Sequence, residues 1–257
     1  MSNTTNQWLN GPFKLITDTG LKSRPEIPST SIIYHYAQRI SLVHNLFIRG
    51  LNASYHQCLG VKPDTTDAQD FLIFNQFLWE VIQDHHDVEE EFLFPELEQL
   101  AAKNQGLMKG NIEEHAGFHD SFEAFRKYVF ETKANDYDGE TLRVLVTTCG
   151  HLIEKHLHNE ISSLIELYGC DEKKLGDIWN RLEERVFAKQ DNRRHVPLLI
   201  GCSDATFQLD GQTMPFPPVP FFFPYLVRFV FGRLYAGSWR FCPSDVFGKP
   251  QPLRFAA

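Results

Sequence analysis

Nothing in the 257-residue sequence supports a disulfide framework or a thiolate site. The five cysteines (Cys58, Cys149, Cys170, Cys202 and Cys242) are odd in number, scattered, and never form a CxxC pair. Reduced thiols are expected, as in a cytoplasmic protein. No run approaches the ~18 apolar residues of a membrane span. The N-terminus has no basic stretch followed by an apolar core, so no secretory signal is expected. Basic residues are also in deficit: 25 Lys and Arg against 33 Asp and Glu leave a net charge of −8. That balance argues against nucleic acid or an anionic membrane as the main partner, because both demand clustered cations. A Ser–His–Asp arrangement and a Gly-rich phosphate loop are missing too. What remains, at 42% hydrophobic and 23% charged residues, has the composition of an ordinary globular protein.

What the chain does have is histidine in one place. Ten of its eleven histidines fall between His35 and His158, leaving only His195 in the last hundred residues. The same region has helical periodicity. Residues 1–30 are polar and broken by Gly11, Gly20, Pro25 and Pro28, and read as an irregular lead-in. Residues 31–170 then predict four helices, over about Ser31–His56, Ala68–Ala101, Lys109–Lys133 and Glu140–Tyr168. The second carries a kink or restart at Pro95, and Asp64 to Asp67 offer its N-terminal caps. Short connections between long helices predict an all-α, antiparallel, up-down-up-down four-helix bundle. Residues 171–257 form the remainder, an amphipathic helix over about Glu172–Lys189 and a tail rich in Pro, Gly and aromatics. The tail has one short helix near Tyr225–Leu234 and is expected to pack on the bundle.

Three of the four helices contain a pair of potential ligands four residues apart: His85 and Glu89, His115 and His119, His156 and Glu160. Residues i and i+4 share a helix face, so each pair can reach one interior point. His44 adds an imidazole on the apolar side of the first helix. A single His–Glu pair is usually a surface charge pair, and a lone His on an apolar face is usually a satisfied core residue. Three pairs on successive helices with a matching fourth His are a poor fit to either explanation. Five imidazoles and two carboxylates suit Fe, Mn or Zn, and they exceed the needs of one tetrahedral zinc. Two ions bridged by Glu89 and Glu160 would use all seven groups. With three imidazoles on one ion and two on the other, one ion keeps an open position.

His86 competes with His85 for its place, with Glu90 as its own i+4 partner, although the register to Phe94–Pro95 favours His85. His86, Glu90 and His151 are alternative ligands or supporting groups. A ferritin-like di-iron site would need Glu-x-x-His on two helices, and that motif does not occur.

The order His, HxxxE, HxxxH, HxxxE, with the run HHDVEEEFLFP, resembles the hemerythrin or HHE cation-binding family. The resemblance implies a di-iron site, oxo- or hydroxo-bridged, with His115, His119 and His156 on one iron and His44 and His85 on the other. Glu89 and Glu160 would bridge them, and O2 would take the open position; Zn or Mn could substitute. Oxygen-carrying members place an Asp five residues after the last His, whereas Glu160 follows His156 at four, closer to bacterial and HHE-type members. The tail motif WRFCPSD looks like that of fungal members.

The leading expectation is a non-haem di-iron protein that binds O2 or a related small molecule, in oxygen or iron handling or sensing. The alternatives are a di-iron oxygenase or oxidase acting on an organic substrate, in fungal metabolism for instance, and a simple divalent-cation-binding protein. A carrier calls for a small, dry apolar pocket, and an oxygenase for a cavity of ~300 Å³ or more. For the apolar block FPPVPFFFPYLVRFVFGRLY three roles arise: packing on the bundle, walling a substrate pocket, or a dimer or membrane-surface contact. Arg228 and Arg233 are too few for electrostatic anchoring alone.

Overall fold

The computed structural model describes residues 11–101 and 106–256, so the first ten residues of the lead-in lie outside the described residues. Helix α1 (Ile32–Gln57) starts where the Ser31 side chain accepts a hydrogen bond from the Ile33 amide. Helix α2 (Thr66–Val88) is capped likewise by Thr65, which accepts from the Ala68 amide at 3.1 Å. These caps satisfy amide groups that have no intrahelical partner.

After α2 the chain makes one wide turn, Glu89–Leu93, in which the Phe94 amide donates to the Glu89 carbonyl five residues back. Helix α3 (Phe94–Leu100) follows, with Pro95 in its first turn. Pro95 has no N–H to donate, and its ring would crowd a regular preceding turn. The kink predicted at Pro95 is therefore a π-turn and restart, a device frequent at functional sites. Helices α4 (Lys109–Glu131) and α5 (Gly139–Ile165) complete the bundle. Its ring runs α1–α2–α4–α5, each helix packed on the next, and closes with α5 against α1. The expected all-α bundle is what the chain builds.

Helix α6 (Glu172–Lys189), capped by Asp171, packs along α2 and α3. The region beyond is more structured than its composition suggests. Helix α7 (His195–Gly201) was not anticipated, because Pro197 and seven residues of length give little periodic signal. Strands β1 (Gln208–Leu209) and β2 (Gln212–Thr213) form a hairpin around Asp210–Gly211. Both turn residues have positive φ, 54° and 74°, the backbone that an Asp-Gly turn provides. Helix α8 (Phe223–Phe229) begins two residues earlier than expected and ends in a short 3₁₀ turn.

The described part of the lead-in, residues 11–30, is largely irregular but tied down. Asn45 and Asn52, seven residues apart on α1, each exchange paired hydrogen bonds with the backbone of Ile16 and Phe13, at 2.8–3.0 Å. At the other end of the chain, Arg240 pairs with Asp67 and Asp70 of α2, both at 2.8 Å. Phe241 beside it inserts between Phe71 and Phe255, with ring centroids 4.6 and 4.7 Å away. The WRFCPSD motif thus plugs the end of the bundle where α1 ends and α2 begins, with Gln57 donating to the Phe241 carbonyl at 2.9 Å. Among the described residues, no helix is long and apolar enough to cross a membrane.

Candidate metal centre

On an α-helix each residue turns by about 100°. His85, His86 and Glu89 therefore project at about 0°, 100° and 40°, so one carboxylate stands between two imidazoles that face opposite sides. The structure uses all three. Two groups of donors converge at mid-bundle, His44, His85, Glu89 and Glu160 in one, His86, Glu89, His115 and His156 in the other. Within each group the potential ligand atoms lie within 4.8 Å of one another, and Glu89 belongs to both.

Glu89 Oε1 is 2.9 Å from His85 Nε2, and its Oε2 is 3.7 Å from His115 Nε2. Glu160 Oε2 lies 3.2 Å from His44 Nε2 and 4.0 Å from His156 Nε2. Each carboxylate therefore spans both groups. The imidazoles face one another, His44 Nε2 to His85 Nε2 at 3.1 Å and His115 Nε2 to His156 Nε2 at 2.9 Å.

The electrostatics suit a cation. Burial holds His85 down at about 4 and His156 at about 3, and lowers His86 and His115 as well. These rings are neutral at pH 7 and offer lone pairs. Burial and the neighbouring Glu160 raise Glu89 well above the usual carboxylate range. Burial pushes Glu160 the same way, but His44, His156 and His85 outweigh it and hold Glu160 at about 2. No oxygen of Glu89 or Glu160, and neither ring nitrogen of His86, has a protein hydrogen bond of good geometry. Polar groups this buried normally do. Convergent neutral imidazoles, with two buried carboxylates whose mutual repulsion a cation would relieve, are what a divalent or trivalent cation requires.

Outer contacts orient the rings. His115 Nδ1 meets Glu90 Oε1 at 2.7 Å, His44 Nδ1 donates to the Leu157 carbonyl at 2.9 Å, and His156 Nδ1 is 3.4 Å from Glu114. Such partners fix the ring orientation of a metal-binding His.

Six of the seven residues singled out from the sequence meet at this centre: His44, His85, Glu89, His115, His156 and Glu160. His119 does not. Its side chain is 73% exposed, and its ring faces Asp120. The buried face of α4 runs Asn111, His115, Phe118, Phe122, Phe125, Val129 in alternating steps of four and three. His119 falls about 80° from the centre of that stripe. The i+4 relation to His115 identifies a shared face but not which member lies nearer its middle, whereas the Phe spacing already held that information. The place His119 would have filled is taken by His86, 4% exposed. The sequence left His85 and His86 as rivals, yet both are inside. Glu90 supports His115 from outside, and His151 is exposed beside Glu154.

A cavity of about 290 Å³ runs from the surface to this centre. Its inner end is His85 and Glu89, and its walls are mostly apolar side chains of α1, α2, α6 and α7 with the tail segment Phe216–Val219, joined by Arg39, Asp84, Glu183, Lys189 and Gln190. His195, the one histidine beyond His158, stands in its wall bonded to Glu80 at 3.2 Å.

Fold and site together define a helical-bundle protein with a buried His/Glu metal site. The model of the hemerythrin HHE cation-binding domain matches residues 37–168, and the chain belongs to that family. A curated relative, the dimeric xanthone biosynthesis cluster protein R11 of Cryptosporiopsis sp. (strain 8999), is 38% identical over 213 residues. The alignment covers 83% of this chain and 80% of the relative, so the likeness extends well beyond the bundle. No solved structure matches the chain significantly.

Proposed function

We propose that this chain holds two iron ions and uses O2 to oxidise an apolar organic molecule, as a non-haem di-iron oxygenase or oxidase. His44, His85, His86, His115 and His156 would hold the ions, with Glu89 and Glu160 between them. Mn or Zn could occupy the same donors. When bound, the metal pair supplies an open coordination position for O2 and the electrons to reduce it.

The observation that carries this reading is the cavity ending on His85 and Glu89. A carrier has no use for it, and its size lies at the low end of small-molecule sites, ~300–1,000 Å³. The residues around it admit an apolar body, exclude water from the metal-facing end, and leave the other donor group out of reach. That second group is walled by Phe94 and Phe118, whose rings lie 5.5 Å from His115 and 5.0 Å from His86. Its enclosure favours the O2-binding role that the sequence put first, here as one half of the oxidative chemistry. The relative's name points to tricyclic aromatics as the kind of molecule to try.

The test is O2 consumption by the iron-loaded protein with reduced tricyclic aromatics such as anthrone and xanthene. Stimulation is expected, and Leu182→Trp, which fills the cavity from α6, should abolish it with metal content unchanged. O2 binding that no such molecule alters, in either protein, would return the chain to a carrier or sensor role.

A further inference from the structure

The tail carries a surface that the metal centre does not use. Phe221 is 88% exposed, and Phe222, Tyr225, Phe229, Val230 and Leu234 are exposed around it. This is a built surface. The opposite side of α8 is anchored by Val227, buried against Val196 and Ile200 of α7 in a small apolar cluster. Contiguous exposed aromatics on a firmly packed helix mark an interaction site.

The charge pattern says what covers it. Between Asp210 and Asp245 the sequence has no acidic residue, in a chain whose net charge is −8. Arg228 and Arg233 stand exposed within the patch. The carboxylate of Asp245, at its border, is turned onto the amides of Phe247 and Lys249 in its own loop. A second copy meeting this patch about a two-fold axis would bring it against itself, setting arginine against arginine with no acid to pair. A lipid surface with anionic headgroups accepts both features, burying the rings at the acyl boundary and pairing the arginines with phosphates. Seven residues of α8 are far too short to span a bilayer, so the element lies on it.

We propose that the aromatic face of α8 docks on an anionic lipid surface. The same stretch of chain places Pro217, Pro218, Val219 and Phe223 in the wall of the cavity. Docking there puts the cavity beside the lipid phase, from which an apolar substrate would enter. That last step rests on the oxidative function proposed above, whereas the docking does not. Two arginines cannot anchor the protein by charge; the rings supply the adhesion, and the arginines select the headgroup.

The test is co-sedimentation of the full iron-loaded chain with vesicles of phosphatidylcholine, alone or mixed with phosphatidylserine. At about 0.1 M salt, where screening over ~10 Å removes the acids elsewhere on the chain but not arginines at the surface, binding should favour the mixed vesicles by up to about twenty- to thirty-fold, from roughly five-fold per arginine, and the preference should fall as salt rises further. Phe221→Ser with Phe229→Ser should weaken binding at least ten-fold. Arg228→Gln with Arg233→Gln should remove only the anionic preference. All variants should keep their metal and their optical spectrum in air. Wild-type protein that ignores both vesicles overturns the proposal, as does a dimer in ultracentrifugation that the double Ser variant dissolves. Vesicle binding by a protein without an O2-responsive centre would uphold docking and sink the functional reading instead.

Discussion

Replacing His86 by Leu should move metal affinity and metal-free stability in opposite directions. His86 is one of four donors in its group, with Glu89, His115 and His156. Losing a partner behind a metal-bound His already costs about 10–100-fold in affinity. Losing the donor itself should cost at least ~100-fold, or about 3 kcal/mol. In the metal-free protein the same ring is a burden, because both its nitrogens are buried without a hydrogen bond. An unsatisfied buried polar group costs about 1–3 kcal/mol. Leu fills a similar volume among Phe118, His115 and His156, whose rings lie 4.5–5.2 Å from His86. The metal-free variant should therefore be about 1–2 kcal/mol more stable than wild type. His119→Ala is the control: its exposed side chain should change either quantity by no more than about 0.5 kcal/mol. Metal per chain after dialysis against graded chelator, with urea unfolding of the metal-free proteins, reads both effects. If His119→Ala loses metal while His86→Leu retains it, the assignment of the second group is wrong.

The pH dependence of the metal-free protein has a definite sign. His85, His86, His115 and His156 are held below the ordinary value by burial, so they stay neutral when folded but protonate when unfolded. Their contribution is full above pH ~6.5 and is lost as pH falls toward about 4. Glu89, shifted up by burial and Glu160, opposes them by one proton. At about 1.4 kcal/mol per proton and pH unit, the loss should approach ~4 kcal/mol per unit at its steepest. Urea midpoints that stay flat between pH 6.5 and 5 would show that the rings are not buried as described. Separately, Gly150→Ala should cost about 1–3 kcal/mol, because a Cβ there would run into the Phe13 ring. A thermal melt unchanged by this substitution would mean that the lead-in does not pack on α5.

The bundle was legible because its helices are long, periodic and separated by turn residues, and because α1 and α2 begin at Ser and Thr caps. Five metal-facing residues were legible from i+4 pairs, and a sixth, His44, from its place on the apolar side of α1. What the pairs could not resolve was rotation about the helix axis, which is why His119 stood in for His86. The arithmetic was available: HHxxE places Glu89 between its two histidines, and Phe118, next to His119, already marks the inward face of α4. Of the cavity only one wall was legible, as one of three roles open to the apolar block that begins at Phe216; its place and size were not. It arises where α6, α7 and the tail segment meet α1 and α2, and no local pattern encodes the space left between elements distant in sequence. Helix α7 was hidden by Pro197, and the hairpin by its brevity, although Asp210–Gly211 was a turn signal.

The most direct test of the central claim is metal content per chain, with an optical spectrum of the reduced protein before and after admission of air. Two irons per chain and a new near-ultraviolet and visible charge-transfer band are the predicted result. One metal per chain would contradict the shared-carboxylate centre built on Glu89 and Glu160, and zinc with no response to O2 would contradict the oxidative chemistry proposed for it.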